Sequence, residues 1–314
     1  MYLKSIDPFI DQNVINSPDF HLSRILGIDN YKDYYICQLN QYIEKTNVFT
    51  IKNINGLATL EYLDWDTKLL GFKSARMVYF LPNSSVNNSH QNLVEDIINL
   101  AKEKNIEYIT TRLSTNDLKS IQTLETNGFL TTDNIITFSL NLDNSPEIQL
   151  NKADYECILY DRIEPIINEA IPEIAKDAFK NDRFHNDPLI PLNKADNIYF
   201  EWMKNTVNNI NELLFIAIDS NKAPLGFISV KNLEIMNLDV STIVLVAVDE
   251  KLQGKNIGFN LLNKTIEGLK EQKVNIVNVG TQISNIPAQR LYLKAGFKPV
   301  CTSTTLRKYI VDCC

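Results

Sequence analysis

Ile243-Val244-Leu245-Val246-Ala247-Val248, followed four residues later by Gln253-Gly254-Lys255-Asn256-Ile257-Gly258, is the stretch on which the fold turns. Six consecutive apolar residues, four of them β-branched, predict a buried strand. Beyond the glycine loop, Ile257, Leu261, Leu262, Ile266 and Leu269 recur at helical spacing and predict an amphipathic helix to about Gln272. A strand, a glycine loop and a helix in that order present unpaired N–H groups and the positive end of a helix dipole, with glycine letting the main chain approach an anion closely. Neither G-x-G-x-x-G nor G-x-x-x-x-G-K-[ST] is formed by these residues, so the cradle is not that of a dinucleotide-binding or P-loop protein.

Working outward, a strand is predicted at Val274 to Gly280 and a helix at Ile286 to Ala295. Asn285 is placed to cap that helix and Pro287 is tolerated in its first turn, while Ala288, Leu291, Tyr292 and Ala295 share one face. A closing strand follows near Ser303 to Tyr309. Upstream the reading is a strand at Tyr155 to Tyr160, helices near Pro165 to Phe179 and Tyr199 to Val207, and strands at Leu213 to Asp219 and Leu225 to Val230. Asn221-Lys222-Ala223-Pro224 is predicted to turn those last two into a hairpin.

The chain also resembles itself. Leu93 to Phe129 aligns without a gap on Leu261 to Phe297 at a constant offset of 168 residues, each copy reading as helix, turn, strand and short helix ending at Gly-Phe. This predicts an internal duplication, with chance likeness of common helix–turn–strand units as the alternative. The copies differ where chemistry would sit: Ser85-Val86-Asn87-Asn88-Ser89-His90 precedes the first copy without a glycine, and Asp117, Ser120 and Leu124 stand opposite Asn285, Ala288 and Tyr292. The first copy therefore reads as a degenerate scaffold, and the polar stretch Asp143-Asn144-Ser145-Pro146-Glu147 as the boundary between domains 1–145 and 146–314.

Composition narrows the classes. A chain of 314 residues suits two cores, and 44% hydrophobic with 22% charged residues is ordinary for a globular protein. A net charge of −7 argues against nucleic acid or an anionic membrane as partner. The absence of a long apolar run argues against membrane insertion, so a cytoplasmic protein is expected. Five scattered cysteines (Cys37, Cys157, Cys301, Cys313, Cys314) show neither metal-ligand nor disulfide spacing, so no metal is expected. A cysteine nucleophile partnered by His21, His90 or His185 has nothing in the sequence to bring its parts together.

At this point the sequence resembles the GNAT superfamily of N-acetyltransferases. Gln253, Asn256 and Gly258 occupy the family's [QR]-x-x-G-x-[GA] loop, with asparagine, the next residue most tolerant of positive φ, in the middle glycine's place. Asn285 to Phe297 fits N-x-x-A-x-x-L-Y-x-x-x-G-F. The resemblance implies an α/β (α+β) tandem GNAT-like architecture: a degenerate N-terminal GNAT-like domain and a catalytic C-terminal one with a mixed, mostly antiparallel sheet. It implies acetyl-CoA as co-substrate, held by Val246, Ala247, Val248, Gln253, Gly254, Lys255, Asn256, Ile257, Gly258, Asn285 and Ala288. Tyr292 becomes the general acid toward the departing thiolate, against the alternative of a plain core aromatic. Lys251, Lys255 and Arg290 are phosphate ligands or solvated charges.

A narrower resemblance, to the dTDP-fucosamine acetyltransferases, rests on Ala178 to His185, Tyr199 to Met203, Val279 to Asn285, and Leu63-Asp64-Trp65-Asp66 before Phe72. It implies a nucleotide-linked amino sugar as the small-molecule partner, with Arg183, Phe184, His185, Tyr199, Trp202 and Gln282 on the acceptor side. Phe184, Tyr199 and Trp202 as ordinary packing residues is the other reading. Residues 1 to about 58 show no counterpart, and the general base is left among His185, Asp187 and a water. A homodimer is compatible with all of this. The rival functions are acetylation of a peptide, antibiotic or polyamine amine, and non-catalytic sensing of acyl-CoA.

Overall fold

The computed structural model describes residues 8–17, 19–145, 154–180 and 182–310. The chain runs α1 (Pro8–Asn13), α2 (Ser23–Leu26), α3 (Ile28–Ile43), β1 (Val48–Asn53), β2 (Gly56–Tyr62), α4 (Asp64–Leu70), β3 (Ser74–Pro82), α5 (Ser89–Glu103), β4 (Tyr108–Ser114), α6 (Leu118–Thr126) and β5 (Leu130–Asn141). It continues through β6 (Tyr155–Leu159), α7 (Pro165–Ala178), α8 (Leu192–Asn208), β7 (Leu213–Asp219), β8 (Pro224–Ile235), β9 (Leu238–Val248), α9 (Ile257–Glu271), β10 (Ile276–Gln282), α10 (Ile286–Lys294) and β11 (Lys298–Tyr309). No helix among the described residues is long and apolar enough to cross a membrane.

Two compact units result, and they do not follow the two halves of the chain. The first holds residues up to 135 and those from 301 on; the second holds residues 136–300. The first unit's sheet is ordered β1-β2-β3-β4-β11, and its last member pairs with β4 from Ser303↔Ser114 to Tyr309↔Tyr108. The second is ordered β5-β10-β9-β8-β7-β6, joined by β5 from Ile136 on. This division departs from 145/146 because the chain changes unit inside β5 and again at the start of β11; Pro146 and Glu147 of the expected boundary lie outside the described residues. The pairs β3–β4 and β9–β10 are parallel, and β1–β2, β2–β3, β4–β11, β6–β7, β7–β8 and β8–β9 are antiparallel. The sheets are therefore mixed and mostly antiparallel.

Local chemistry explains the connections. In the β7–β8 hairpin Lys222 takes φ 62°, and the Asp219 carboxylate accepts from the N–H groups of Asn221 and Ala223 at 2.8 Å each. Each unit buries its own core. Leu93, Val94, Ile97, Ile109, Leu124, Phe129 and Leu306 pack in the first, and Phe138, Phe215, Leu261, Leu262, Val277, Tyr292 and Phe297 in the second.

The duplication holds bond for bond. Every boundary of α5, β4, α6 and β5 recurs 168 residues later in α9, β10, α10 and β11. Asn88 and Asn256 both enter their helices with φ near 60°, at 58° and 61°. Asp117 accepts from Ser120 N as Asn285 accepts from Ala288 N, both at 3.2 Å. Phe129 N reaches Leu124 O at 3.1 Å as Phe297 N reaches Tyr292 O at 3.0 Å.

Upstream the likeness continues with a changed offset. Gly56 opposite Pro82 matches Gly226 opposite Val248, and both ladders carry an irregularity at the same place. At each glycine an added Cβ would meet the partner strand's carbonyl oxygen, at 2.2 Å from Leu81 O and 2.6 Å from Ala247 O. The connection 83–88 is consequently two residues shorter than 249–256. The order of elements also gives the described residues of the expected 1–58 extension a counterpart: α1 to α3 and β1 come before β2 as α7, α8 and β7 come before β8.

Ending the chain after Val300 removes the strand partner of β4 and Leu306 from the first core. Hydrogen exchange should then show amides 108–114 losing protection while those of α9 remain protected. Unchanged protection at 108–114 would contradict the assignment of β11 to the first unit.

Candidate active site

The β9–β10 ladder begins at Ile276↔Val240 and ends at Val279↔Ile243, although both strands run on. On its other edge β9 stays paired with β8 as far as Gly226↔Val248. The register shift between Ser229 and Val230 gives β9 one extra residue where the two parallel strands part, and such a bulge bends and twists a strand. Val246, Ala247 and Val248 therefore line a fork with one main-chain edge unpaired by β10.

The loop leaving β9 has the form expected of an anion cradle. Asp249 accepts from Lys251 N at 2.9 Å and closes the first turn. Gly254 sits at φ 80° with no atom within 4 Å of where a Cβ would be, so its need is conformational. Asn256 caps α9 at φ 61° without using its side chain on the helix. The first donor of α9 satisfied within the helix is Asn260 N, to Asn256 O at 3.0 Å, which leaves the first-turn N–H groups for a ligand. Gly258 lies over the base of the fork: a Cβ there would stand 3.5 Å from Val248 Cγ2 and 3.8 Å from Leu291 Cδ2. Gln253 donates to Val248 O at 3.4 Å, and Lys251, Lys255 and Arg290 are exposed.

α10 brings Tyr292 to the same core. Asn285 N donates to Gln282 O at 2.9 Å, and Gln289 Nε2 ties the turn down at Ile283 O, 2.6 Å away. Tyr292 is 3% exposed, between Phe138 at 5.8 Å and Phe297 at 5.9 Å between ring centroids. Its hydroxyl has no hydrogen-bond partner among the described residues. Burial pushes the phenol well above its ordinary pKa. Phe138 was not legible as a site residue, because it comes from β5, before the expected domain boundary.

Of the residues expected on the acceptor side, Arg183, Phe184 and His185 lie between α7 and α8, Tyr199 and Trp202 lie on α8, and Gln282 ends β10, apart from the other five. His185 is held between two carboxylates, Nδ1 to Asp182 Oδ2 at 2.5 Å and Nε2 to Asp196 Oδ1 at 3.0 Å. Both nitrogens are thus committed, so His185 is not a free base. Partial burial works against ionisation of Asp196, but hydrogen bonds from Lys180 and His185 outweigh it and hold its carboxyl below the usual range. Tyr199 stacks on Phe179 at 4.5 Å and on Trp202 at 6.1 Å. Phe184 is buried with the Arg183 guanidinium 4.2 Å from its ring centroid. Asp187 is buried and accepts from Leu189 N at 3.1 Å. Burial pushes the Cys157 thiol up to about 11, away from the thiolate a nucleophile needs; Cys313 and Cys314 lie outside the described residues.

Residues 172–297, which carry the loop, the fork and α10, match the Acetyltransferase (GNAT) family. That segment, about two fifths of the chain, therefore resembles a GNAT acetyltransferase domain. SpsD of Bacillus subtilis (strain 168), a spore coat polysaccharide biosynthesis protein, is 34% identical over 134 residues, covering 43% of this chain and 45% of that protein. The matched stretch thus spans less than half of either. A GCN5-related N-acetyltransferase from Sphaerobacter thermophilus is 15% identical with a TM-score of 0.62, over 88% of this chain and 86% of that one. A tandem GNAT protein from the clavulanic acid biosynthesis pathway is 14% identical with a TM-score of 0.57, over 99% and 98%. At those identities the likeness is of fold, and it extends beyond the GNAT domain over both units.

The left-handed Asn256 makes a test of the loop. Asn256→Gly should leave stability within a few tenths of a kcal/mol, whereas Asn256→Val should cost at least about 1 kcal/mol in chemical denaturation. Equal effects would mean that the loop does not hold this conformation.

Proposed function

We propose that the GNAT domain transfers an acetyl group from acetyl-CoA to the amine of a nucleotide-linked amino sugar of the dTDP-4-amino-4,6-dideoxyhexose type, in the cytoplasmic stages of surface-glycan assembly. The observation that carries the transfer is Tyr292, a buried phenol without a protein partner, on the helix whose Leu291 stands against the Gly258 cradle. The sugar assignment is supported by the match to a spore coat polysaccharide biosynthesis protein and by the aromatic ladder of Tyr199 and Trp202.

The residues divide the work as follows. First-turn N–H groups at Ile257 and Gly258 receive the pyrophosphate of the co-substrate, and the fork edge at Val246 to Val248 aligns its pantetheine arm. The amine forms a C–N bond to the thioester carbon, and a main-chain N–H of the fork meets the oxyanion. Collapse breaks the C–S bond, Tyr292 gives its proton to the sulfur, and the ammonium proton is relayed by water to the phenolate and restores the phenol. Phe179, Tyr199 and Trp202 supply aromatic faces to the acceptor, with Arg183 beside them for its phosphate and Gln282 at the mouth of the fork.

Free thiol released from acetyl-CoA and dTDP-4-amino-4,6-dideoxygalactose reads the reaction directly. Turnover confined to a peptide, antibiotic or polyamine amine would sink the sugar assignment, and binding of acetyl-CoA without thiol from any amine would make the domain a sensor. Tyr292→Phe should slow turnover at least about tenfold with acetyl-CoA affinity unchanged; an equal rate would refute the acid role. Because burial raises the phenol above its ordinary value of 10.0, Tyr292 stays protonated through that pH. The rate should therefore climb as the amine deprotonates and show no fall from loss of this acid below about pH 10.

A further inference from the structure

The first unit repeats the fork without the anion cradle. Its parallel ladder β3–β4 runs from Ser74↔Tyr108 to Met77↔Thr111 and ends there, while β3 stays paired with β2 to Gly56↔Pro82. The shorter connection to α5 turns its first helical donor inward, Ser89 N to Val86 O at 3.3 Å. His90 occupies the place of Gly258 and packs on Phe80 at 6.4 Å between centroids. An acyl-CoA pyrophosphate has no seat in this copy.

The fork itself is nonetheless a cavity of about 240 Å³, roofed by α3, the helix that stands where α8 stands in the second unit. Tyr31, Tyr34, Tyr35 and Gln38 of α3, Tyr79 of β3 and Arg112 of β4 line it. Pockets for drug-sized ligands span roughly 300–1,000 Å³, so this one suits a single ring. Asp19, Asp117 and Arg112 also line it, and two carboxyls to one guanidinium disfavour phosphate. Burial raises the Asp19 carboxyl toward its neutral form, with His21 pulling the other way, which lessens that excess and suits an uncharged ligand.

The tyrosines discriminate between kinds of ring. Tyr35 and Tyr79 meet at 76°, Tyr31 and Tyr34 at 47°, so no parallel slot exists to sandwich a flat base. Among the described residues the hydroxyls of Tyr34, Tyr35 and Tyr79 and the amide of Gln38 have no hydrogen-bond partner. Each is both donor and acceptor, as every hydroxyl of a sugar is. Tilted aromatic faces with amphoteric tips fit a puckered ring that carries C–H on its faces and hydroxyls around its rim.

We infer that the fork of the first unit is a binding site for one neutral monosaccharide ring, separate from the acetyl-transfer site and independent of its acceptor. The test is tyrosine-ring NMR on the full-length protein titrated in turn with glucose, galactose, N-acetylglucosamine, thymidine and acetyl-CoA. At least one sugar should move the resonances of Tyr31, Tyr34, Tyr35 and Tyr79 in a saturable way. Gln38→Ala, on the exposed side of α3, and Tyr79→Phe should each weaken that sugar about three- to tenfold while leaving acetyl-CoA binding unchanged. Shifts at these four tyrosines with thymidine or acetyl-CoA instead, or with none of the probes, would overturn the assignment, as would sugar binding indifferent to both substitutions.

Discussion

Two parallel strands that cease pairing before they end leave main-chain donors and acceptors facing a gap, and such groups demand a partner. In the second unit the gap opens beyond Val279↔Ile243, on one flank of a strand that β8 holds firmly on the other. The bulge supplies the bend, Gly226 permits the close strand approach, and the loop with Gly254 and Asn256 carries the chain from the fork into α9. Tyr292 then reaches that core because Asn285 starts α10 at the end of β10. Remove the early end of the ladder and the proposed cradle, acid and acceptor face lose their common reference.

The same constraint operates in the first unit with a different outcome. Its fork is kept, with the glycine at 56 and the irregularity in the β2–β3 ladder, while the anion loop is two residues shorter and His90 fills the seat of Gly258. What was lost is the part proposed to meet phosphate; what was kept is the part proposed to meet a ring. The two units also share their strands: β5 and β11 each begin in one unit's sequence and complete the other's sheet, so neither half of the sequence alone supplies either core.

Much of this was legible in the residues. The gapless stretch from helix to Gly-Phe repeats every element boundary at one offset, because the pattern of Leu261, Leu262, Ile266 and Leu269 and the cap–glycine pairs are local rules. The left-handed role of Asn256 followed from its standing in the middle glycine's place of the loop pattern that the sequence resembles. Local rules could not show the changed offset upstream, since the two hairpins share little but a glycine and the deletion lies in a polar loop. The helical spacing of Tyr31, Tyr35 and Leu39 carried no sign that α3 matches α8, a likeness of position alone. His185 looked available because its two carboxylates, Asp182 and Asp196, lie on different elements, and Phe138 was hidden by the exchange of β5 between units.

The central claim is that one of two duplicated forks retains a seat for an acyl-CoA pyrophosphate, and hydrogen exchange with and without acetyl-CoA tests it most directly. Protection should rise in 244–260, along the edge of β9 and the first turn of α9, and stay unchanged in 78–92. Protection at 78–92, or none at 244–260 under saturating acetyl-CoA, would contradict the account.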